Sequence, residues 1–115
     1  MAKHEPDLSR IFQALSDPTR RDMLARLAGG ALPVSQLAQP TGMALPTVMR
    51  HLDVLAEAGL ITTAKTGRTR MCRADPVALA LAEGWLARQR AEWEARTDRL
   101  EAYILTQMNG DDDGP

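Results

Sequence analysis

Cysteine occurs once, at Cys72, so the chain has no intrachain disulfide framework, and a reducing compartment is the simplest setting for it. Histidine occurs twice, at His4 and His51, too few imidazoles for a ligand set of their own. No apolar run approaches the roughly 18 residues that a membrane span needs. The first residues, MAKHEPDLSR, lack the apolar middle of a signal peptide. A cytoplasmic protein without membrane contact is therefore expected. What is present is ordinary for a folded chain: 115 residues, 44% hydrophobic and 25% charged. That excludes collagen-like and wholly disordered classes and leaves enough chain for one cored domain without staples.

Charge of one sign is also lacking overall, at a net −1, but its distribution is uneven. Residues 46–74 hold Arg50, Lys65, Arg68, Arg70 and Arg73 against Asp53 and Glu57, a local net of +3 in a chain whose remainder is −4. A basic segment on an acidic protein makes one face attractive to phosphate while the rest repels it. Chance clustering is the plain alternative.

The hydrophobic periodicity predicts mostly helices. Asp7 suits the cap of a short helix with Leu8, Ile11, Phe12 and Leu15 on its apolar positions, closed by Ser16. Asp17-Pro18 restarts the chain as N-cap and first helical residue, and Gly29-Gly30 ends that second helix. A helical piece at 34–39, a break at Pro40-Thr41-Gly42-Met43 and a longer helix at 45–58 form a helix-turn-helix. In the longer helix Val48, Leu52, Leu55 and Ala56 share one face, and Gly59 stops it. The β-branched stretch from Leu60 to Lys65, a turn at Thr66-Gly67-Arg68-Thr69 and a return through Cys72 read as a two-stranded hairpin. Asp75-Pro76 then opens a helix of about 50 Å reaching Met108, with Arg88, Glu92 and Arg96 paired at i,i+4 on its polar face. The tail at 110–115 is expected to be acidic and disordered, and residues 1–109 to form one domain.

In this order the elements resemble the ArsR family of bacterial transcriptional repressors. The resemblance runs from Leu8 to about Ile104. It is carried by Leu15-Ser16-Asp17-Pro18-Thr19-Arg20-Arg21, Leu37-Ala38, the stretch from Leu45 to Leu55, and Ala58-Gly59-Leu60. Trp85-Leu86, Trp93 and the stretch Asp98-Arg99-Leu100-Glu101-Ala102-Tyr103 look like a non-metal-sensing subgroup. The resemblance implies a mainly α fold with a small β-hairpin, a winged helix-turn-helix with N- and C-terminal dimerisation helices. It also implies a homodimer on double-stranded DNA at an inverted-repeat operator.

By alignment to the family motif, the candidate DNA-reading positions are Leu45, Pro46, Thr47, Met49, Arg50 and His51, with Lys65, Arg68 and Arg70 on the wing. Arg50 reaches a guanine edge or a phosphate, and the apolar Leu45 and Met49 can touch thymine methyl groups. Met49 packing inside is the alternative, as a merely solvated hairpin is for the wing. Ala44, where relatives often place Ser, offers no acceptor to the helix start. The candidate dimer interface is Leu8, Ile11, Phe12 and Leu15 with Leu79, Leu86, Trp93 and Leu100. Trp85 and Trp93 lining a ligand pocket is the alternative.

Metal-sensing relatives carry paired cysteines where this chain reads Leu32-Pro33-Val34-Ser35-Gln36-Leu37, and the long helix has no His. No metal, no cofactor and no catalytic group are expected, hence no enzyme. The competing readings are a winged-helix protein-interaction module without operator binding and a metal- or redox-responsive repressor. Operator sequence, regulated genes and any small-molecule effector are not written in the chain.

Overall fold

The structure is a computed structural model that describes residues 7–112, with side chains described through Asn109. The helices are α1 (Leu8–Leu15), α2 (Pro18–Arg26), α3 (Val34–Ala38), α4 (Leu45–Glu57) and α5 (Pro76–Asp112). The strands are β1 (Leu32–Pro33), β2 (Ile61–Thr66) and β3 (Thr69–Ala74). Two compact units result, one up to Ala82 and one from Glu83 onward. The second is the remainder of α5. From Glu83 to Asn109 no residue is buried. Helix continues to Asp112, three residues into the expected disordered tail, and 113–115 lie outside the described residues. No described helix is long and apolar enough to cross a membrane.

Local chemistry explains where the helices begin. Asp7 Oδ1 accepts the Ser9 N–H at 2.8 Å, and Asp17 Oδ2 accepts the Arg20 N–H at 3.0 Å with Pro18 in the first turn. Asp75 Oδ1 accepts the Val77 N–H at 3.0 Å at the start of α5. Each carboxylate satisfies a donor that the helix itself leaves unpaired. The Asp17 carboxyl is held below its ordinary range, chiefly by the Arg20 backbone N–H it accepts; desolvation opposes this, and the Arg20 charge adds to it. That contact stabilises the fold above the ordinary carboxylate range and is lost as pH falls through the depressed value. The second helix ends differently from expectation. A 3-10 turn over Leu27–Gly29 follows α2, and Gly30 takes φ 131 and ψ 178, outside the left-handed helical region and open only to glycine.

The core lies entirely in the first unit. Ile11, Met23, Leu37, Val48, Leu52, Leu55, Leu60, Ile61 and Cys72 are its largest fully buried side chains. α1, α2, α3 and α4 each contribute one face to it, and β2 and β3 close it with Ile61 and Cys72. The hairpin expected from the sequence gains a third strand. β1 pairs antiparallel with β3, Leu32 opposite Cys72, giving the order β1-β3-β2. Two residues are too few to show a strand period, so β1 is invisible without its partner.

Candidate nucleic-acid interface

α3, the turn after it and α4 form the helix-turn-helix. A 3-10 turn at Gln39–Thr41 leads to Gly42, left-handed at φ 68. Thr41 locks the corner: its hydroxyl donates to the Ala38 carbonyl at 2.6 Å and accepts the Met43 N–H at 3.0 Å. Val48, Leu52 and Leu55 bury one face of α4, which fixes how the rest of the helix is presented.

The sequence-derived reading positions then fall on three sides. Pro46 and Arg50 are exposed, on the pole opposite the buried face, with Asp53 and Glu57 continuing that pole toward the C-terminus. The two carboxylates repel phosphate, so only the first two turns of α4 suit an anionic partner. Leu45, 57% exposed, and the half-buried Met49 lie on the flank toward the wing. Met49 packs partly against the core, so the alternative of an inward Met49 holds in part. Thr47 and His51 lie on the opposite flank, both half-buried.

His51 also meets α2: its Nδ1 lies 3.2 Å from Arg20 Nη1. The guanidinium can only donate, so in this contact Nδ1 is the accepting side. Arg20 also donates from Nε to the Ala14 carbonyl at 2.8 Å and from Nη2 to the Gln13 carbonyl at 3.1 Å. It thereby caps the end of α1 and ties α1, α2 and α4 together. Sequence reasoning missed this role; the one available sign was an arginine three residues after a helix-capping Asp.

The wing is built by register. In the β2–β3 ladder Ile61 faces Ala74, Thr63 faces Cys72 and Lys65 faces Arg70, and these pairs share the face that carries the core. Arg73 opposes Thr62 on the other face, which separates it from the rest of the basic segment. Arg70 Nη1 donates to Thr63 Oγ1 at 3.1 Å, so the guanidinium is held along the sheet. Lys65 and Arg70 are like charges directly across the ladder, an arrangement that costs stability without an anion nearby. Gly67 at φ 64, followed by Arg68 at negative φ, suits a two-residue hairpin loop with glycine first, which puts Arg68 at the tip.

Between the start of α3, the first turns of α4 and the wing runs a cleft of about 370 Å³, with Val34, Leu45 and Met49 on one side and Arg68 and Arg70 on the other. The start of α4 is uncapped: Ala44 is its N-cap and makes no side-chain hydrogen bond. Ala44→Ser is expected to stabilise the free protein by about 1 kcal/mol, read as a rise of roughly 4–8 °C in Tm. An unchanged melting curve would show that those N–H groups are already satisfied.

The expected interface residues divide. Ile11 is fully buried with Ala14 on the core side of α1, so it is a core residue and not an interface one. The spacing that united Leu8, Ile11, Phe12 and Leu15 spans two faces: 8, 12 and 15 fall together, while 11 and 14 turn inward. Leu8, Phe12 and Leu15 are half-buried, and Leu79 is 40% exposed. In the second unit Leu86, Trp93 and Leu100 are exposed. The expected i,i+4 pairs are replaced there by Arg90–Glu94 at 3.8 Å, and Arg96 lies 5.5 Å over the Trp93 ring. Gln89, Glu92, Trp93 and Arg96 line a shallow groove of about 140 Å³, and Trp85 is not among its walls.

Burial pushes the Cys72 thiol above its ordinary range, and the Arg70 charge opposes this. Among the described residues no three His, Cys, Asp or Glu side chains are placed to hold a metal ion.

Comparison with known proteins decides the family. A helix-turn-helix domain profile matches residues 15–64. The crystal structure of the ArsR family transcriptional regulator RHA00566 is 48% identical, with a TM-score of 0.73 over 76% of this chain and 96% of that one. The chain belongs to the ArsR family of transcriptional regulators. Its fold is accordingly the winged helix-turn-helix, and this ArsR regulator is not an enzyme. Among curated relatives, HTH-type transcriptional regulator Rv2034 of Mycobacterium tuberculosis is 42% identical over 71 residues, 62% of this chain and 66% of that protein. Transcriptional repressor SdpR of Bacillus subtilis is 33% identical over 61 residues, 53% of this chain and 68% of that protein. The homodimeric winged helix-turn-helix DNA-binding domain of Mb0332 from Mycobacterium bovis is 26% identical, with a TM-score of 0.59 over 76% of this chain and 82% of that one.

Proposed function

We propose that this ArsR regulator is a cytoplasmic homodimeric repressor that grips an inverted-repeat operator in double-stranded DNA. The observation that carries the reading is the pairing of an outward Arg50 on the first turns of α4 with a wing of Lys65, Arg68 and Arg70. In this reading Arg50, Pro46 and Thr47 enter the major groove, and the wing cations neutralise phosphate or reach the minor groove. Repression is supported by the SdpR relative, and pairing by the homodimeric Mb0332 domain. Leu79, Leu86, Trp93 and Leu100 recur every seven residues along α5, the repeat by which one helix packs along another. With Leu8, Phe12 and Leu15 of α1 they form the proposed dimer contact. Two heads about 34 Å apart then meet successive major grooves on one side of the duplex.

The test is selection of binding sites from random duplexes, followed by titration of the selected operator. An inverted repeat is expected. Arg50→Ala should weaken binding about 10-fold or more and relax preference at one base per half-site. Arg68→Ala should weaken all sequences alike and flatten the salt dependence by about one unit of slope. A chain that enriches no duplex overturns the reading in favour of a winged-helix module for protein partners.

A further inference from the structure

We propose that Leu45 and Met49 form a reader for the 5-methyl group of a thymine in the operator, with Arg68 and Arg70 holding the phosphates beside it. This rests on the operator-binding function proposed above and adds a base preference to it. Helix α4 begins with Leu45, followed one turn on by Met49, where a DNA-reading helix has most use for donors and acceptors. Leu45 leaves 57% of its surface to solvent, and Met49, one turn on, is half-buried beside it. With Pro33 and Val34 they supply the apolar part of the lining of the cleft of about 370 Å³. The opposite wall carries two guanidiniums, one at the hairpin tip and one fixed to Thr63.

That combination selects its occupant. Neither Leu nor Met can exchange a hydrogen bond with a base edge. The thymine C5-methyl is the one apolar group that the four standard bases display in the major groove. The phosphates that flank any base supply the charge complement to Arg68 and Arg70. A duplex step therefore satisfies both walls at once. The reader is one-sided, because Asp53 and Glu57 farther along α4 keep phosphate away from its C-terminal half.

Replacing thymine by deoxyuridine removes the methyl group and nothing else. In the selected operator, each thymine is exchanged singly for deoxyuridine and binding is titrated with the wild-type chain and with Leu45→Ala. One position per half-site should cost the wild type about fourfold, the worth of one buried methyl. Leu45→Ala should bind the thymine operator about as weakly as the wild type binds the deoxyuridine one, and should not distinguish the two. The exposed position of Leu45 keeps the fold intact, which circular dichroism checks; Met49→Gln provides a second variant on the same wall. Selection of an operator that tolerates deoxyuridine everywhere overturns the inference while leaving the operator reading in place. A full deoxyuridine penalty in Leu45→Ala also overturns it. Binding of decanoate that depends on Leu45, with deoxyuridine tolerated, would reassign the cleft to amphiphilic anions. Failure to select any duplex removes the operator reading and this inference together.

Discussion

A chain carrying Leu86→Glu together with Trp93→Glu is expected to sediment as a monomer and to lose on the order of 100-fold or more in operator affinity. Both side chains are exposed, at 51% and 63%, so charge at these positions leaves the first unit's core untouched. In the proposed dimer the same carboxylates would be taken out of water at the contact, and that cost would oppose association. Affinity falls because the second head no longer binds at the effective concentration set by the first. Analytical ultracentrifugation with operator titration reads both effects. A double variant that still pairs would place the dimer contact elsewhere than on the α5 stripe. A monomeric variant with undiminished affinity would show that one head suffices.

Arg20→Ala should be the most damaging substitution at a polar residue. Its guanidinium donates to the carbonyls of Ala14 and Gln13 and to His51. Ser16 also serves Gln13, through its N–H and its hydroxyl. The Ala14 carbonyl accepts the Arg20 Nε–H at 2.8 Å, and loss of Arg20 removes that bond. Hydrogen bonds from a charged donor contribute about 1.5–3 kcal/mol each and are not additive. A net loss of about 2–3 kcal/mol follows, roughly 10–20 °C in Tm for a unit of this size. Arg20→Lys should recover only part of it, since an ammonium cannot fork to three acceptors on two elements. Thermal unfolding of the three proteins decides the matter; an Arg20→Ala chain melting within a few degrees of wild type would show that the network is incidental. His51→Ala removes one arm alone and should cost much less.

Several features were legible because they depend on few neighbouring residues. Asp7, Asp17-Pro18 and Asp75-Pro76 announce helix starts, since a carboxylate that accepts an N–H two or three residues on needs no distant partner. Val48, Leu52 and Leu55 announce the buried face of α4 by their spacing. Thr66-Gly67-Arg68-Thr69 announces the hairpin turn because glycine tolerates the required φ. Other features depend on what lies opposite. Ile11 was grouped with Leu8, Phe12 and Leu15 because apolar spacing cannot tell a face toward the core from a face toward a partner. Leu32-Pro33 becomes a strand only by pairing with β3.

The chain order of caps, breaks and apolar stripes was enough to determine a winged helix-turn-helix and to mark the first turns of α4 and the basic hairpin as its candidate contact surface. These are local properties, set by backbone hydrogen bonding and by the helical and strand periods. Packing alone decided which side chains on that surface remain available. It turned His51 toward Arg20, sank half of Met49 beside Leu45, set Arg70 along Thr63 and sent Arg73 to the far face of the sheet. Such outcomes follow from which elements meet and at what register, and those distances exist only once the core has closed.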